Sequence, residues 1–164
     1  MTAVYIALGS NISPRIFYLR KGVWGIKNIG VRIKKISSIY RTSPVGNEDQ
    51  PYFLNAVLLG ETQLSPLDLL TKLQEIEKEC GRVRKNHGGP RTLDLDLLLY
   101  DKLQLKGAKL ILPHPRMHER KFVLFPLLEI APRLCSPLGI PYRKYLAQLD
   151  SKQKIRRYRH QWVS

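Results

Sequence analysis

Residues 88–100 read GGPRTLDLDLLLY, an arginine followed by two carboxylates set into an apolar run. As a strand this stretch alternates, placing Leu93, Leu95, Leu97 and Leu99 on one face and Asp94, Asp96 and Leu98 on the other. The two acids then lie side by side. Like charges at that spacing repel and resist desolvation, so a compensating cation is required: a metal, an arginine or a shared proton. A plain solvent-facing edge would show polar alternation, whereas Leu97, Leu98 and Leu99 are uninterrupted, and Arg82, Arg84 and Arg91 precede the acids within one segment. Acids beside a basic segment suit Mg²⁺ shared with phosphate oxygens, because Mg²⁺ takes one or two carboxylates plus substrate phosphates. Gly88 and Gly89 allow close backbone approach to a phosphate, and the arginines offer it bidentate donors.

Working outward, Val4–Leu8 is a short apolar run ending in Gly9-Ser10-Asn11. Ser13-Pro14 then signals a helix start, with Ile16, Leu19, Val23 and Ile26 at helical spacing. Val31–Tyr40 and Phe53–Leu59 look like two strands joined by a long connection, and Ser65-Pro66-Leu67-Asp68 opens the clearest helix, with Leu69, Leu73, Ile76 and Cys80 as its apolar stripe. The order is β-α-β-β-α-β, which predicts an α+β fold with a ferredoxin-like core. A mainly antiparallel sheet would carry two helices on one face, with extra strands and helices after the core. Short strands near Leu103–Leu105 and Lys109–Leu112, a helix over Pro126–Ile130 and another over Tyr142–Leu149 are expected to follow. Residues 1–150 are taken as one catalytic domain and residues 151–164 as a flexible basic tail.

The chain has 164 residues, 43% apolar and 25% charged, ordinary for a globular domain with its own core. Its charge is not ordinary: 28 basic against 13 acidic residues give +15, which predicts anionic company. Cys80 and Cys135 form no C-x-x-C pair, so neither a zinc site nor a disulfide framework is indicated, and a cytoplasmic location is expected. No segment is long and apolar enough to span a bilayer, and the first residues lack a signal-peptide pattern. Phe53 and Phe122 suit a core and a ligand slot equally, but Asn55 shares the Phe53 face and offers an amide that can read a heterocycle edge. His114 and His118 have no metal-ligand spacing.

GPRTLDLDLLLY, together with YIALGSN, YRTSPVGNEDQPYFLNAV, GRVRK, LPHP and RKFVLFPLLEIAP in that order, resembles the 6-hydroxymethyl-7,8-dihydropterin pyrophosphokinases of folate biosynthesis from about Val4 to Pro132. The resemblance implies transfer of pyrophosphate from ATP to the pterin hydroxyl, giving AMP, with two Mg²⁺ ions held by Asp94 and Asp96, and with Asp96 a candidate for the hydroxyl proton. It implies catalytic roles for Arg82 and Arg91 beside the two acids. ATP contacts are implied from Leu70, Gln74, Arg82, Arg84, Arg91, Leu97, Lys109, His114 and Arg120, and pterin contacts from Thr42, Ser43, Val45, Phe53, Asn55 and Phe122. Gly88 and Ile111 depart from the family, where a tryptophan and a threonine are common. The expected partners are these small molecules, to a monomer, with neither membrane nor nucleic acid. The rival reading is a basic single-stranded nucleic-acid-binding module on the same sheet, for which +15 is the best support.

Overall fold

A computed structural model describes residues 1–44, 51–82, 91–149 and 152–162. Val45 and Arg84, and with them Gly88, lie outside the described residues. The core elements are β1 (Thr2–Ser10), α1 (Arg15–Asn28), β2 (Val31–Ile36), β3 (Tyr40–Thr42), β4 (Phe53–Thr62), α2 (Pro66–Glu79) and β5 (Asp94–Tyr100). After them come β6 (Leu105–Lys106), β7 (Ile111–Leu112), a 3₁₀ turn (Met117–Glu119), α3 (Lys121–Ile130), α4 (Tyr142–Gln148) and β8 (Ile155–Arg157). The sheet runs β5-β1-β4-β3-β8, with β2 also paired to β4, and its pairings are antiparallel.

Two layers of core follow from strand alternation. On one face Val4, Ile6, Leu8, Leu54, Leu58, Leu93, Leu95 and Leu97 pack against Leu19 and Ile26 of α1 and Leu69, Leu73 and Ile76 of α2. On the other, Val57, Leu98 and Leu99 pack with Val123, Leu124, Leu127 and Ile130 of α3 and Tyr142 of α4. Leu99 therefore does not join Leu93, Leu95 and Leu97, as strict alternation predicts. The register shows why: Tyr5 pairs with Leu99 but Ile6 pairs with Leu97, so Leu98 is an extra residue, a β-bulge that resets the alternation. Tyr100 consequently turns to the α1/α2 side, where its hydroxyl donates to Leu64 O at 2.6 Å.

Other boundaries shift for local reasons. Helix α1 begins at Arg15 without a side-chain cap; the Ser13 hydroxyl accepts from Arg15 Nη1 at 3.0 Å instead. Ser65 does cap α2, accepting from the Asp68 N–H at 3.2 Å. The run Val31–Tyr40 is broken into two strands because the Ser37 hydroxyl accepts the Val57 N–H at 2.9 Å, substituting a side chain for the backbone ladder. Helix α3 starts at Lys121, before the expected Pro126, and includes that proline among its buried residues.

The basic segment expected as a flexible tail is structured over its described part. β8 pairs with β3, matching Thr42 to Ile155, and beyond it the Trp162 indole N–H donates to Ser37 O at 2.7 Å. Gln161 accepts from the Ile39 N–H at 2.7 Å, and Tyr158 and Trp162 pack on the α1/α2-side core. These anchors are two apolar rings and an amide, while the charges of Arg156, Arg157 and Arg159 stay exposed. Trp162→Ala is therefore expected to lower unfolding stability by about 1–3 kcal/mol through lost burial and one hydrogen bond. Urea unfolding measures this; an unchanged midpoint would mean the segment contributes nothing to the folded state.

Candidate active site

Strand alternation collects the chemistry on the α3 face. Gly9 pairs with Asp94 on one side and Asn55 on the other, so β5, β1 and β4 carry an acid, a gap and an amide in one row. Ala7 pairs with Asp96 in the next row. A Cβ on Gly9 would lie 2.7 Å from Asn55 Oδ1, so only glycine leaves room for that amide oxygen. The other end of the amide is fixed by Thr42, whose Oγ1 accepts from Asn55 Nδ2 at 2.7 Å. Asn55 is 6% exposed and Thr42 1%, so the pair is held before any ligand arrives. Phe53 begins β4 two residues before Asn55, on the same face, while Phe122 sits in the first turn of α3, which packs over β4. Helix α3 is tied to β3 by Glu129, which accepts from the Ser38 N–H at 2.9 Å and from the Tyr40 hydroxyl. Burial, then that hydrogen bond, push the Tyr40 hydroxyl up to about 12.

The compensating cations at the acids are arginines. Arg82 Nη1 lies 2.5 Å from Asp94 Oδ1, and Arg91 Nη1 lies 3.0 Å from Asp94 Oδ2, one guanidinium on each carboxylate oxygen. Arg120, just ahead of α3, approaches Asp96 Oδ2 at 3.8 Å. Burial alone would raise the Asp94 carboxyl, but Arg82 and then Arg91 hold it below the usual range. Asp96 goes the other way, pushed up to about 7 by burial and by the Asp94 charge, with Arg120 opposing.

Two residues in this network went unnoticed in the sequence. Glu77 of α2 is buried and accepts both Arg82 Nη1 and, at 2.8 Å, the Leu95 N–H that faces out from the edge strand β5. Its signal in the sequence is an acid on the last turn of the helix, just ahead of the basic segment. Asn11 donates its N–H to Arg91 O at 3.0 Å, accepts the Arg91 N–H on Oδ1 at 2.6 Å, and donates Nδ2 to Pro51 O at 3.4 Å. It thereby ties the chain at Arg91 to the chain just before Phe53. Nothing local in the sequence distinguishes such an asparagine from one in an ordinary turn.

The remaining candidates scatter around the acids. Leu70 and Gln74 share a stripe of α2 with Glu77, four and three residues apart, along the β5 edge. Lys109 is exposed just before β7. The Leu97 side chain is buried in the α1/α2-side core, on the face opposite the acids, so only its backbone can reach a ligand on the acid face. His114 is strapped to the bulge, its N–H donating to Leu98 O at 2.9 Å, and its Nδ1 accepts the Arg116 N–H at 3.2 Å. Burial and then Arg120 lower its imidazole to about 4, so at neutral pH the ring is uncharged with its proton on Nε2, free to donate. Ser43 follows Thr42 at the end of β3 and is part-buried.

Among the described residues no three or more His, Cys, Asp or Glu side chains gather as a metal cage. Asp94 and Asp96 fit the Mg²⁺ pattern, hard oxygen donors few in number and bordered by cations suited to phosphate. Among the described residues, no helix is long and apolar enough to cross a membrane.

Comparison with known proteins gives the chain a family. The family model described as 7,8-dihydro-6-hydroxymethylpterin-pyrophosphokinase matches residues 5–132. The chain belongs to this family. It is 52% identical over 127 residues to 2-amino-4-hydroxy-6-hydroxymethyldihydropteridine pyrophosphokinase of Bacillus subtilis, covering 77% of this chain and 76% of that protein. To the protein of the same name from Aquifex aeolicus it is 38% identical over 156 residues, 95% of each chain. Among solved structures, wild-type HPPK-DHPS of Plasmodium falciparum crystallised with pteroate superposes with a TM-score of 0.73 at 14% identity, over 90% of this chain and 44% of that one. The chain thus spans less than half of that larger protein, and the likeness is one of fold.

Asp96 and His114 impose opposite pH dependences on stability. The folded Asp96 carboxyl titrates near 7 against about 3.9 unfolded, so its contribution is full below that lower value and is lost as pH rises toward 7. Folded His114 titrates near 4 against about 6.5 unfolded, so its contribution is present above that higher value and is lost as pH falls toward 4. Asp96→Asn is expected to leave a stability that climbs from about pH 4 to 6.5, and His114→Asn one that declines over the same range. Urea midpoints of the ligand-free protein across that range decide it, and parallel profiles in the two variants would refute the assignment.

Proposed function

We propose that the chain transfers the pyrophosphoryl group of ATP to the hydroxyl of 6-hydroxymethyl-7,8-dihydropterin, releasing AMP. The observation that carries this reading is one sheet face bearing a buried amide–hydroxyl pair, Asn55 with Thr42, in the same row as Asp94 and its arginines. A flat heterocycle with donors and acceptors along one edge suits Asn55, with Phe53 and Phe122 as its two faces and Thr42 and Ser43 at its rim. Val45 is included on the family pattern alone. The polyphosphate suits Arg82, Arg91, His114 and Arg120, with Arg84 added on the family pattern. Leu70, Gln74, the Leu97 backbone and Lys109 are the nucleoside end, along the β5 edge.

Bound Mg²⁺, two ions on the family's pattern, would screen the phosphate charge and orient the attacking hydroxyl. The chain's own residues position and neutralise. Asp94 and Asp96 provide the oxygen donors. Arg82 and Arg91, which cover Asp94 in the free protein, exchange that carboxylate for phosphate oxygens, a swap between equally charge-assisted bonds. The pterin oxygen forms its new bond to the β-phosphorus as the bond to the α-phosphate oxygen breaks, and the hydroxyl proton passes to Asp96. His114 donates from Nε2 without adding charge.

The finer structural and cellular readings rest on similar support. Strand order β5-β1-β4-β2, with α1 and α2 on one face, favours a ferredoxin-like core. Residues 1–150 as the catalytic unit, acting as a monomer, is favoured because one chain supplies every group named. Free thiols at Cys80 and Cys135 favour the cytoplasm. The nucleic-acid alternative loses ground because α3 covers the sheet face on which bases would stack.

Incubation with ATP, Mg²⁺ and 6-hydroxymethyl-7,8-dihydropterin should yield AMP, and Asp94→Ala or Asp96→Ala should each cut the rate at least about a hundredfold. Absence of AMP from the wild type would end this reading. Gly9→Ala, by displacing Asn55, should raise the pterin KM about tenfold or more and leave the ATP KM nearly unchanged. A parallel rise in both constants would contradict the role given to Asn55.

A further inference from the structure

Residues 152–162 lie beyond the span matched by the family model, yet they reach the wall assigned to the pterin. Strand β3 is three residues long and ends at Thr42, the residue that orients the Asn55 amide. A short strand end paired on one side only would fray at low cost. Here the C-terminal segment supplies the second side, and Ser43 is held at three points. Its N–H donates to Lys154 O at 3.0 Å, its hydroxyl accepts the Lys154 N–H at 3.0 Å, and its carbonyl accepts Gln153 Nε2 at 2.6 Å. Gln153 also reaches the opposite wall: its carbonyl accepts Lys121 Nζ at 3.3 Å, and Lys121 is the first residue of α3, next to Phe122.

We infer that Gln153 is a positioning residue for the pterin slot, clasping the Thr42–Ser43 end of β3 to the start of α3 so that Asn55 and Phe122 keep their spacing. The inference rests on the pterin reading above and adds to it a residue that touches no substrate. The physical chain is short: Gln153 fixes Ser43, Ser43 fixes the end of β3, and Thr42 at that end fixes the amide that reads the heterocycle. The effect is local because these two bonds of Gln153 meet Ser43 on one pterin wall and Lys121 on the other, whereas the arginines and acids of the phosphate bay are held by Glu77, Asp94 and Asn11. A general stabiliser would affect both substrates alike. A clasp on one wall acts on one.

The test is steady-state kinetics on the full chain carrying Gln153→Met, which keeps side-chain length and removes the amide. The expected result is a rise of about threefold to tenfold in the pterin KM, with kcat and the ATP KM within about twofold, as the loss of one hydrogen bond acting through a wall would give. Arg156→Ala, exposed on β8, should leave both constants unchanged. If Gln153→Met does not fold, Lys121→Met, which cuts only the second link, is read by the same criterion. An unchanged pterin KM in a folded variant, or both KM values rising together, overturns the clasp. Wild type that forms no AMP removes the pterin reading and the clasp together, whereas wild type that forms AMP beside an unaffected variant removes the clasp alone.

Discussion

Two carboxylates on one face of one strand are the constraint to which this structure answers. Asp94 and Asp96 sit two residues apart, partly withdrawn from water, and each charge raises the cost of the other. The chain meets that cost from three directions: Arg82 just past α2, Arg91 on the approach to β5, and Arg120 ahead of α3. Holding Arg82 there requires its own partner, and Glu77 provides it while also satisfying the outward N–H of Leu95. An edge strand is thus finished by a helix carboxylate, and the same carboxylate aims a guanidinium. The imbalance between the acids is a direct result. Asp94 receives two arginines and stays ionised, while Asp96 receives one at longer range and titrates near neutrality.

The bulge at Leu98 divides the labour along β5. Before it, alternation delivers Asp94 and Asp96 to the α3 face and Leu93, Leu95 and Leu97 to the core beneath. After it, Leu99 also faces α3, so that Leu98 and Leu99 together give that helix an apolar seat. A regular strand would have offered α3 one leucine there. The extra residue lets one face be polar at one end and greasy at the other, and its carbonyl receives the His114 N–H, which brings that ring beside the acids.

Much of this was legible in the sequence because it depends on local periodicity. The mixed helix and antiparallel-sheet class, the shared face of Asp94 and Asp96, the Ser65 cap and the common face of Phe53 and Asn55 all follow from spacing, whereas the two strands expected between α1 and α2 are three, β2, β3 and β4. The bulge was not legible, since an uninterrupted Leu97-Leu98-Leu99 run fits either register until the partner strand is known. Nor was the split of Val31–Tyr40, where a serine hydroxyl replaces a ladder bond. In the C-terminal segment composition points the other way from packing: its many basic residues suggest solvation, but β8 pairs with β3, and Tyr158, Gln161 and Trp162 add side-chain anchors. Asn11 carries no local signal because its partners lie far off along the chain, and no periodicity marks a contact across 80 residues such as that with Arg91, whereas Glu77 meets Arg82 close by in sequence but through a side-chain bond that helix spacing alone does not indicate.

On the proposed chemistry, the two halves of the site are prepared for their substrates in different ways. At the Asn55 end both termini of the amide are committed, one to Thr42 and one to the space above Gly9, so a heterocycle meets donors and acceptors already in place. At the Asp94 end the donors that a polyphosphate needs are already in use. Arg82 and Arg91 can turn to phosphate only by uncovering Asp94, and an uncovered buried carboxylate costs roughly 3–5 kcal/mol. A nucleotide arriving alone would incur that cost, and a divalent cation arriving alone would meet two guanidiniums on its ligand. Arriving together, each supplies what the other displaces: the cation covers Asp94 as the phosphates take up the arginines. The ion pairs of the free protein therefore favour the metal–nucleotide complex over either component, on the proposed chemistry, while the pterin end imposes no such condition on its ligand.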